Sequence, residues 1–241
     1  MSTVLMVRHG RTTANAQGTL AGWTRGVDLD DLGESQANDL GQRLLTVPLA
    51  AIVTSPLDRC KQTANALASG RDVAVKVDDD LGEVRYGDWT GEPLKTLAKQ
   101  PLWKVVQQHP SAAVFPGSDG EGLADMQARA VGAVRRWNAL LGDDAVYCVV
   151  SHGDVIKALV ADALGLHLDL FQRIVVDPAS VSVVRYGTTR PFVERVNDTG
   201  GDLSVLVPKR RRKRAKTSDD ADIGGGAGPG KRPARTRRSV S

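Results

Sequence analysis

The residues best suited to chemistry stand at the ends of short apolar runs. Arg8-His9-Gly10 directly follows the run at 3–7, and Ser151-His152-Gly153 follows the run at 145–150. A third run, 50–54, leads into Ser55-Pro56-Leu57-Asp58-Arg59. Runs of this kind read as buried strands, and in an open α/β sheet the carboxyl ends of the strands line the ligand crevice. Two arginines and two histidines are thereby expected on one edge. That set suits a dianionic phosphoryl group, whose peripheral oxygens take charged, forked donors. Cleaving a phosphate ester near neutral pH also requires a proton for the departing oxygen. Leu81-Gly82-Glu83-Val84-Arg85-Tyr86-Gly87, after a further β-rich run at 73–77, offers Glu83 for that purpose. Asp78, Asp79, Asp80 and Asp88 are competing carboxylates in the same stretch.

The segments between these runs must position them. Asp30 or Asp31 can cap a helix whose apolar face includes Ala37, Leu40 and Leu44. Ser55-Pro56 reads as an N-cap followed by a first-turn proline, opening a helix through Ala64 and Leu67. Ser118 with Glu121 reads as a capping box for a helix with Leu123, Met126, Ala130, Val134, Trp137 and Leu141 on one stripe. After His152 comes a helix burying Val155, Ile156, Leu159 and Leu164, which puts His152 beside a helix N-terminus suited to anions. Segments 171–176, 180–186 and 191–196 read as late strands, the last two joined by a hairpin at 187–190. Strands alternating with helices predict an α/β, three-layer fold, with a largely parallel central sheet flanked by helices.

With these blocks in place the chain resembles the histidine phosphatase superfamily, in the branch that includes cofactor-dependent phosphoglycerate mutases. The similarity covers about residues 3–196 and rests on RHG at 8–10, SPLDRCKQTA at 55–64, LGEVRYGDWTG at 81–91 and SHGD at 151–154. It implies His9 as a phosphorylated nucleophile and Glu83 as the proton donor. It implies Arg8, Arg59 and His152 as the phosphate pocket, with Asn15 as a further phosphate contact. No metal and no cofactor is implied. Mutases of this family carry arginine directly after the acid; here the residue is Val84. The stretch between Gly91 and Pro116 also lacks the paired arginines that mutases carry there. The resemblance therefore implies hydrolysis of a small phosphorylated metabolite, with mutase-type transfer as the alternative. His109 and His167 are assigned surface or capping roles, Cys60 a place in helix packing, and Tyr86 and Trp89 either pocket walls or packing.

Composition sets the remaining bounds. The 241 residues are 41% hydrophobic and 25% charged, values of a soluble globular protein. Two cysteines, Cys60 and Cys148, suit a reducing compartment, and the start MSTVLMVRHG lacks the pattern of a secretory signal, so a cytoplasmic protein is expected. No apolar run is long enough to span a bilayer. The net charge of +4 conceals a split: 208–241 holds twelve Lys/Arg and three Asp, or +9, which leaves −5 for 1–207. The expected organisation is a catalytic domain at 1–206 and a disordered Lys/Arg/Gly/Pro-rich tail at 207–241. The tail's basic blocks within 209–238 could make weak electrostatic contacts with polyanions, and a non-catalytic module binding nucleic acid or acidic partners is the reading from another class. Because no tail residue belongs to the proposed set, the two parts are expected to act separately.

Overall fold

The computed structural model describes residues 2–200 and Gly224. The elements, in chain order, are β1 (Ser2–Arg8), α1 (Thr13–Gln17), α2 (Asp31–Leu44), β2 (Ile52–Thr54), α3 (Asp58–Ala68), β3 (Val75–Val77), α4 (Leu94–Leu97), α5 (Pro101–Gln108), α6 (Leu123–Leu141), β4 (Val146–Ser151), α7 (Gly153–Leu164), β5 (Val181–Tyr186) and β6 (Pro191–Asp198). They form one six-stranded sheet in the order β3-β2-β4-β1-β5-β6. The first four strands in that order run parallel, and β5 and β6 complete the β1 edge antiparallel. The three-layer α/β expectation holds.

The pleat explains the layers. Side chains alternate along a strand, so β1 sends Val4 and Met6 to one face and Leu5 and Val7 to the other. Adjacent β4 does the same with Tyr147 and Val149 against Cys148 and Val150. One face packs on α6 and α7 through Leu123, Met126, Ile156 and Leu159. The other packs on α2 and α3 through Leu40, Cys60, Ala64 and Leu67. Both faces are buried, which is why these strands read as continuous apolar runs rather than alternating ones.

Four local expectations are corrected, the first being Leu164, which ends α7 half exposed rather than buried. The helix after β2 starts at Asp58 with Leu57 as its N-cap, not at Ser55-Pro56. Ser55 is unavailable because its Oγ bonds the His152 ring and also accepts from the Leu57 N–H. Helix α6 starts at Leu123 with Gly122 as N-cap, so Ser118 and Glu121 form no capping box. Glu121 instead pairs with Arg129, its Oε1 lying 2.6 Å from Nε. Segment 171–176 contains no strand: Leu168–Arg173 is a 3₁₀ helix capped by the His167 ring, and it buries Phe171. The expected cap Asp30 does open α2, accepting from Gly33 N–H at 2.8 Å. The disordered-tail and polyanion expectations for 207–241 lie outside the described residues, Gly224 excepted.

Among the described residues, no helix is long and apolar enough to cross a membrane.

Candidate active site

The parallel register places the two histidines side by side. Arg8 pairs with Ser151 at the ends of β1 and β4, so His9 and His152 leave the sheet together. Their ring centroids are 5.2 Å apart with planes inclined at 63°. Both are buried, and both fall at a change of backbone direction. His152 is the N-cap of α7 in an extended conformation, so its ring is carried at the positive end of that helix. After His9 the chain passes so close to α2 that a Cβ on Gly10 would overlap the carbonyl of Gly33. Glycine is required there by close approach.

Hydrogen bonds fix which ring nitrogen faces the cleft. His9 Nδ1 lies 2.7 Å from the Gly10 carbonyl oxygen, which can only accept, so Nδ1 carries the proton. Nε2 is left as a lone pair and receives the Arg59 Nε–H at 3.3 Å. Burial, then the guanidinium groups of Arg59 and Arg8, hold the His9 imidazole well below the usual histidine range. His9 is therefore a neutral base at neutral pH with its available nitrogen in the cleft.

His152 follows the same logic. Arg59 Nη2 lies 3.3 Å from its Nδ1, and a guanidinium can only donate. Nε2 then carries the proton and donates to Ser55 Oγ at 2.7 Å. Burial and then Arg59 hold this ring low as well.

Arg59 occupies the first turn of α3, where it also donates from Nη2 to the Gly22 carbonyl at 2.8 Å. Its Nη1 is buried and has no hydrogen-bond partner among the described residues. A buried, unmatched charged donor of this kind is costly unless a ligand completes it. Arg8 is fully buried, with Nη1 on the Val176 carbonyl at 2.8 Å and Nη2 on the Gly224 carbonyl at 3.5 Å.

Glu83 lines the same cleft as His9, in the loop after β3. Its Oε1 accepts from the Val84 N–H at 2.9 Å, and its Oε2 sits 3.8 Å from His152 Nδ1. Burial, and then the negative charge of Asp154, push its carboxyl up to about 7 against the pull of Arg59. Because Oε1 is held as an acceptor, the acidic proton belongs on Oε2. The rival carboxylates are turned elsewhere. Asp78 binds Trp137 Nε1 at 2.7 Å, Asp80 binds Arg136 at 2.6 Å, and Asp88 is exposed.

The cleft itself is lined by His9, Asn15, Arg59, Glu83, Tyr86 and Gly224, among others. Asn15 reaches it, but its Oδ1 is spent accepting from Thr12 N–H and Oγ1, as the partner in a capping box for α1. Only its amide N–H groups remain to face a ligand. Tyr86 is both wall and core residue: its ring packs edge-on to Phe115, and its hydroxyl donates to Asp154 at 2.9 Å. Trp89 packs against Phe115 and Trp103 instead. Cys60 lies in the α3 core as expected, but its Sγ also approaches His152 Nε2 at 3.4 Å. Burial pushes its thiol up to about 12, so it offers no thiolate.

Sequence reading missed Arg129. From α6 it donates to the carbonyls of Asp80, Gly82 and Glu83 at 2.7, 2.9 and 2.9 Å, clamping the loop that carries the acid. Trp23 Nε1 shares the Glu83 carbonyl at 2.6 Å. The available signal was an arginine set within the helix's apolar stripe, three residues after Met126 and four before Ala133. Asp154, the last residue of the SHGD block, is a second residue with no local signal of its role. It is buried, with Lys157 Nζ 3.4 Å from its Oδ1.

The carboxyl edge of the sheet's parallel part thus carries a neutral histidine, two buried arginines and a buried glutamate, a set whose donors could hold an anion. The chain belongs to the histidine phosphatase superfamily, branch 1, whose family model matches residues 4–199. Phosphoserine phosphatase 1 of Hydrogenobacter thermophilus is 30% identical over 206 residues, covering 83% of this chain and 93% of that protein. The probable 2-carboxy-D-arabinitol-1-phosphatase of Arabidopsis thaliana is 28% identical over 236 residues, 96% of this chain. The chain spans only 45% of the length of that plant relative. Among solved structures, YhfR of Bacillus stearothermophilus superposes with a TM-score of 0.75 at 29% identity, over 85% of this chain and 98% of that one.

Proposed function

We propose that the protein is a metal-independent phosphomonoester hydrolase acting on a small phosphorylated metabolite through a phosphohistidine at His9. The observation that carries this reading is the His9 tautomer. Its proton is held by the Gly10 carbonyl, and its Nε2 lone pair faces the cleft beside an arginine.

The chemistry is two in-line displacements. His9 Nε2 attacks phosphorus, the P–O ester bond breaks, and the Glu83 proton passes to the departing alcohol oxygen. Water then attacks the phosphohistidine, gives its proton to the Glu83 carboxylate, and the N–P bond breaks. Inorganic phosphate leaves, and both side chains return to their starting states. Arg8, Arg59 and His152 hold the phosphoryl oxygens, with the Asn15 amide as a further donor. The orphan Nη1 of Arg59 supports that assignment. Positioned cationic donors of this kind contribute on the order of 10³–10⁵ in rate in phosphoryl transfer.

Water as the final acceptor is supported by the residue after the acid. Val84 is fully buried and presents no cation to hold a second anionic group of a substrate. Several relatives bear phosphatase names and others of similar identity bear the name of a probable phosphoglycerate mutase, so the choice of water rests on Val84. A panel of metabolite phosphates, assayed in excess EDTA, tests the reading. Release of inorganic phosphate that survives chelation is expected, and turnover that returned only with added divalent ions would overturn it.

A further inference from the structure

His9 presents Nε2 to the cleft because its Nδ1 proton is tied to the Gly10 carbonyl at 2.7 Å. What holds that carbonyl in place lies on two helices. The Gly10–Arg11 peptide that carries it donates its own N–H to Gln36 Oε1 on α2, at 3.0 Å. The neighbouring His9–Gly10 peptide donates its N–H to Thr63 Oγ1 on α3, at 3.1 Å. Both peptide units around Gly10 are thus pinned from outside β1, one from each helix.

Each contact has a single assignment of donor and acceptor. A backbone N–H can only donate, so Gln36 turns its amide oxygen toward Arg11. The Thr63 hydroxyl gives its one proton to the Arg59 carbonyl at 2.8 Å, which leaves its oxygen to accept from Gly10. Thr63 is fully buried on the face of α3 that also buries Cys60, Ala64 and Leu67, a place where an apolar side chain is the ordinary choice. Gln36 is half-buried one turn after Gly33, where α2 meets the chain so closely that a Cβ on Gly33 would overlap the Arg11 carbonyl.

We propose that Gln36 and Thr63 are positioning residues for the nucleophile: they hold the Gly10 backbone so that its carbonyl keeps the His9 proton on Nδ1. Neither lines the cleft, so both act through His9 rather than on the substrate. This rests on the reading of His9 as the attacking group. Both displacements use the same tautomer, because Nε2 attacks as a lone pair and departs as one from a ring that keeps its Nδ1 proton. A ring with its proton on Nε2, or turned out of line with phosphorus, could do neither.

Gln36→Met and Thr63→Val remove the two acceptors at nearly constant volume, and Gln36→Glu and Thr63→Ser restore them. The His9 tautomer is read from its ring-nitrogen shifts in the free, full-length protein, and a small phosphate ester gives kcat and KM. In Gln36→Met the Nε2–H tautomer should become populated, and kcat should fall about ten- to a hundredfold with KM little changed. Thr63→Val should move both readouts the same way, and the two restoring variants should return them toward the parent protein. A merely structural role would lower thermal stability without moving the ring proton. Because Gln36 is only half-buried, its variants keep the test open if Thr63→Val does not fold. A His9 proton that stays on Nδ1 in Gln36→Met, whatever happens to kcat, would overturn the proposal while an inactive His9→Ala left the phosphohistidine reading intact. A His9→Ala variant as active as the parent protein would remove both.

Discussion

One guanidinium links the two histidines: Arg59 Nε lies 3.3 Å from His9 Nε2, while its Nη2 lies 3.3 Å from His152 Nδ1. Burial, and after it this permanent cation between two imidazoles, keep both neutral, since protonating either would place like charges in a desolvated site. For His9 this preserves the lone pair. For His152 it sets up a response, because an arriving dianion offsets the charge that suppresses protonation. Vanadate binding should raise the proton affinity of the His152 ring, read as a change in its nitrogen shifts between free and bound protein near pH 7. A ring that stayed neutral in the complex would remove His152 from the cationic donors.

Glu83→Gln tests the proton donor. Loss of a general acid costs about 10²–10⁴ in rate when the leaving group needs protonation. An alkyl phosphate should therefore suffer far more than an activated aryl phosphate. Equal losses would assign the proton to another group, and Asp154, buried nearby, would be the next to replace.

The pH dependence has a definite sign. Glu83 acts as an acid only when protonated, and burial with Asp154 raises its carboxyl to about 7. Turnover of an alkyl phosphate should then decline as pH rises through about 7. His9 acts only when neutral, and its affinity for protons is held below the usual histidine range, so the acidic limb should fall below that range too. An aryl phosphate should lose the alkaline decline and keep the acidic limb. An alkaline decline of the same size on both substrates would contradict the role given to Glu83.

Arg129→Gln tests positioning of the acid. The substitution removes hydrogen bonds to three loop carbonyls and the ion pair with Glu121. The Glu83 carbonyl keeps its bond from Trp23 Nε1, while a buried carbonyl left without a donor costs roughly 1–3 kcal/mol. Beyond lower thermal stability, kcat for an alkyl phosphate should fall more than for an aryl phosphate, with KM little changed. Equal loss on both substrates would make Arg129 merely structural.

How much of this was legible in the sequence follows from the range of each interaction. His9, His152 and Arg59 could be placed because each follows an apolar run, and parallel strands deliver their carboxyl ends to one edge. The start of α3 could not, since Ser55 is claimed by a ring 97 residues away rather than by its own helix. The apolar segment at 171–176 resembled a strand, yet His167 caps it locally as a 3₁₀ helix over the buried Phe171. Arg129 and Gly224 act across 46 and 216 residues, and no local pattern reports such contacts.

The central claim is a covalent bond between phosphorus and His9 Nε2. Rapid acid-free quenching of the enzyme with a ³²P-labelled phosphate ester, followed by peptide mapping and ³¹P NMR of the denatured protein, measures it directly. The account predicts a label that is stable to base and labile to acid, located on His9 at Nε2, and absent from a folded His9→Ala variant that no longer turns over. A label on another residue, or His9→Ala turning over the ester at a comparable rate, would contradict it.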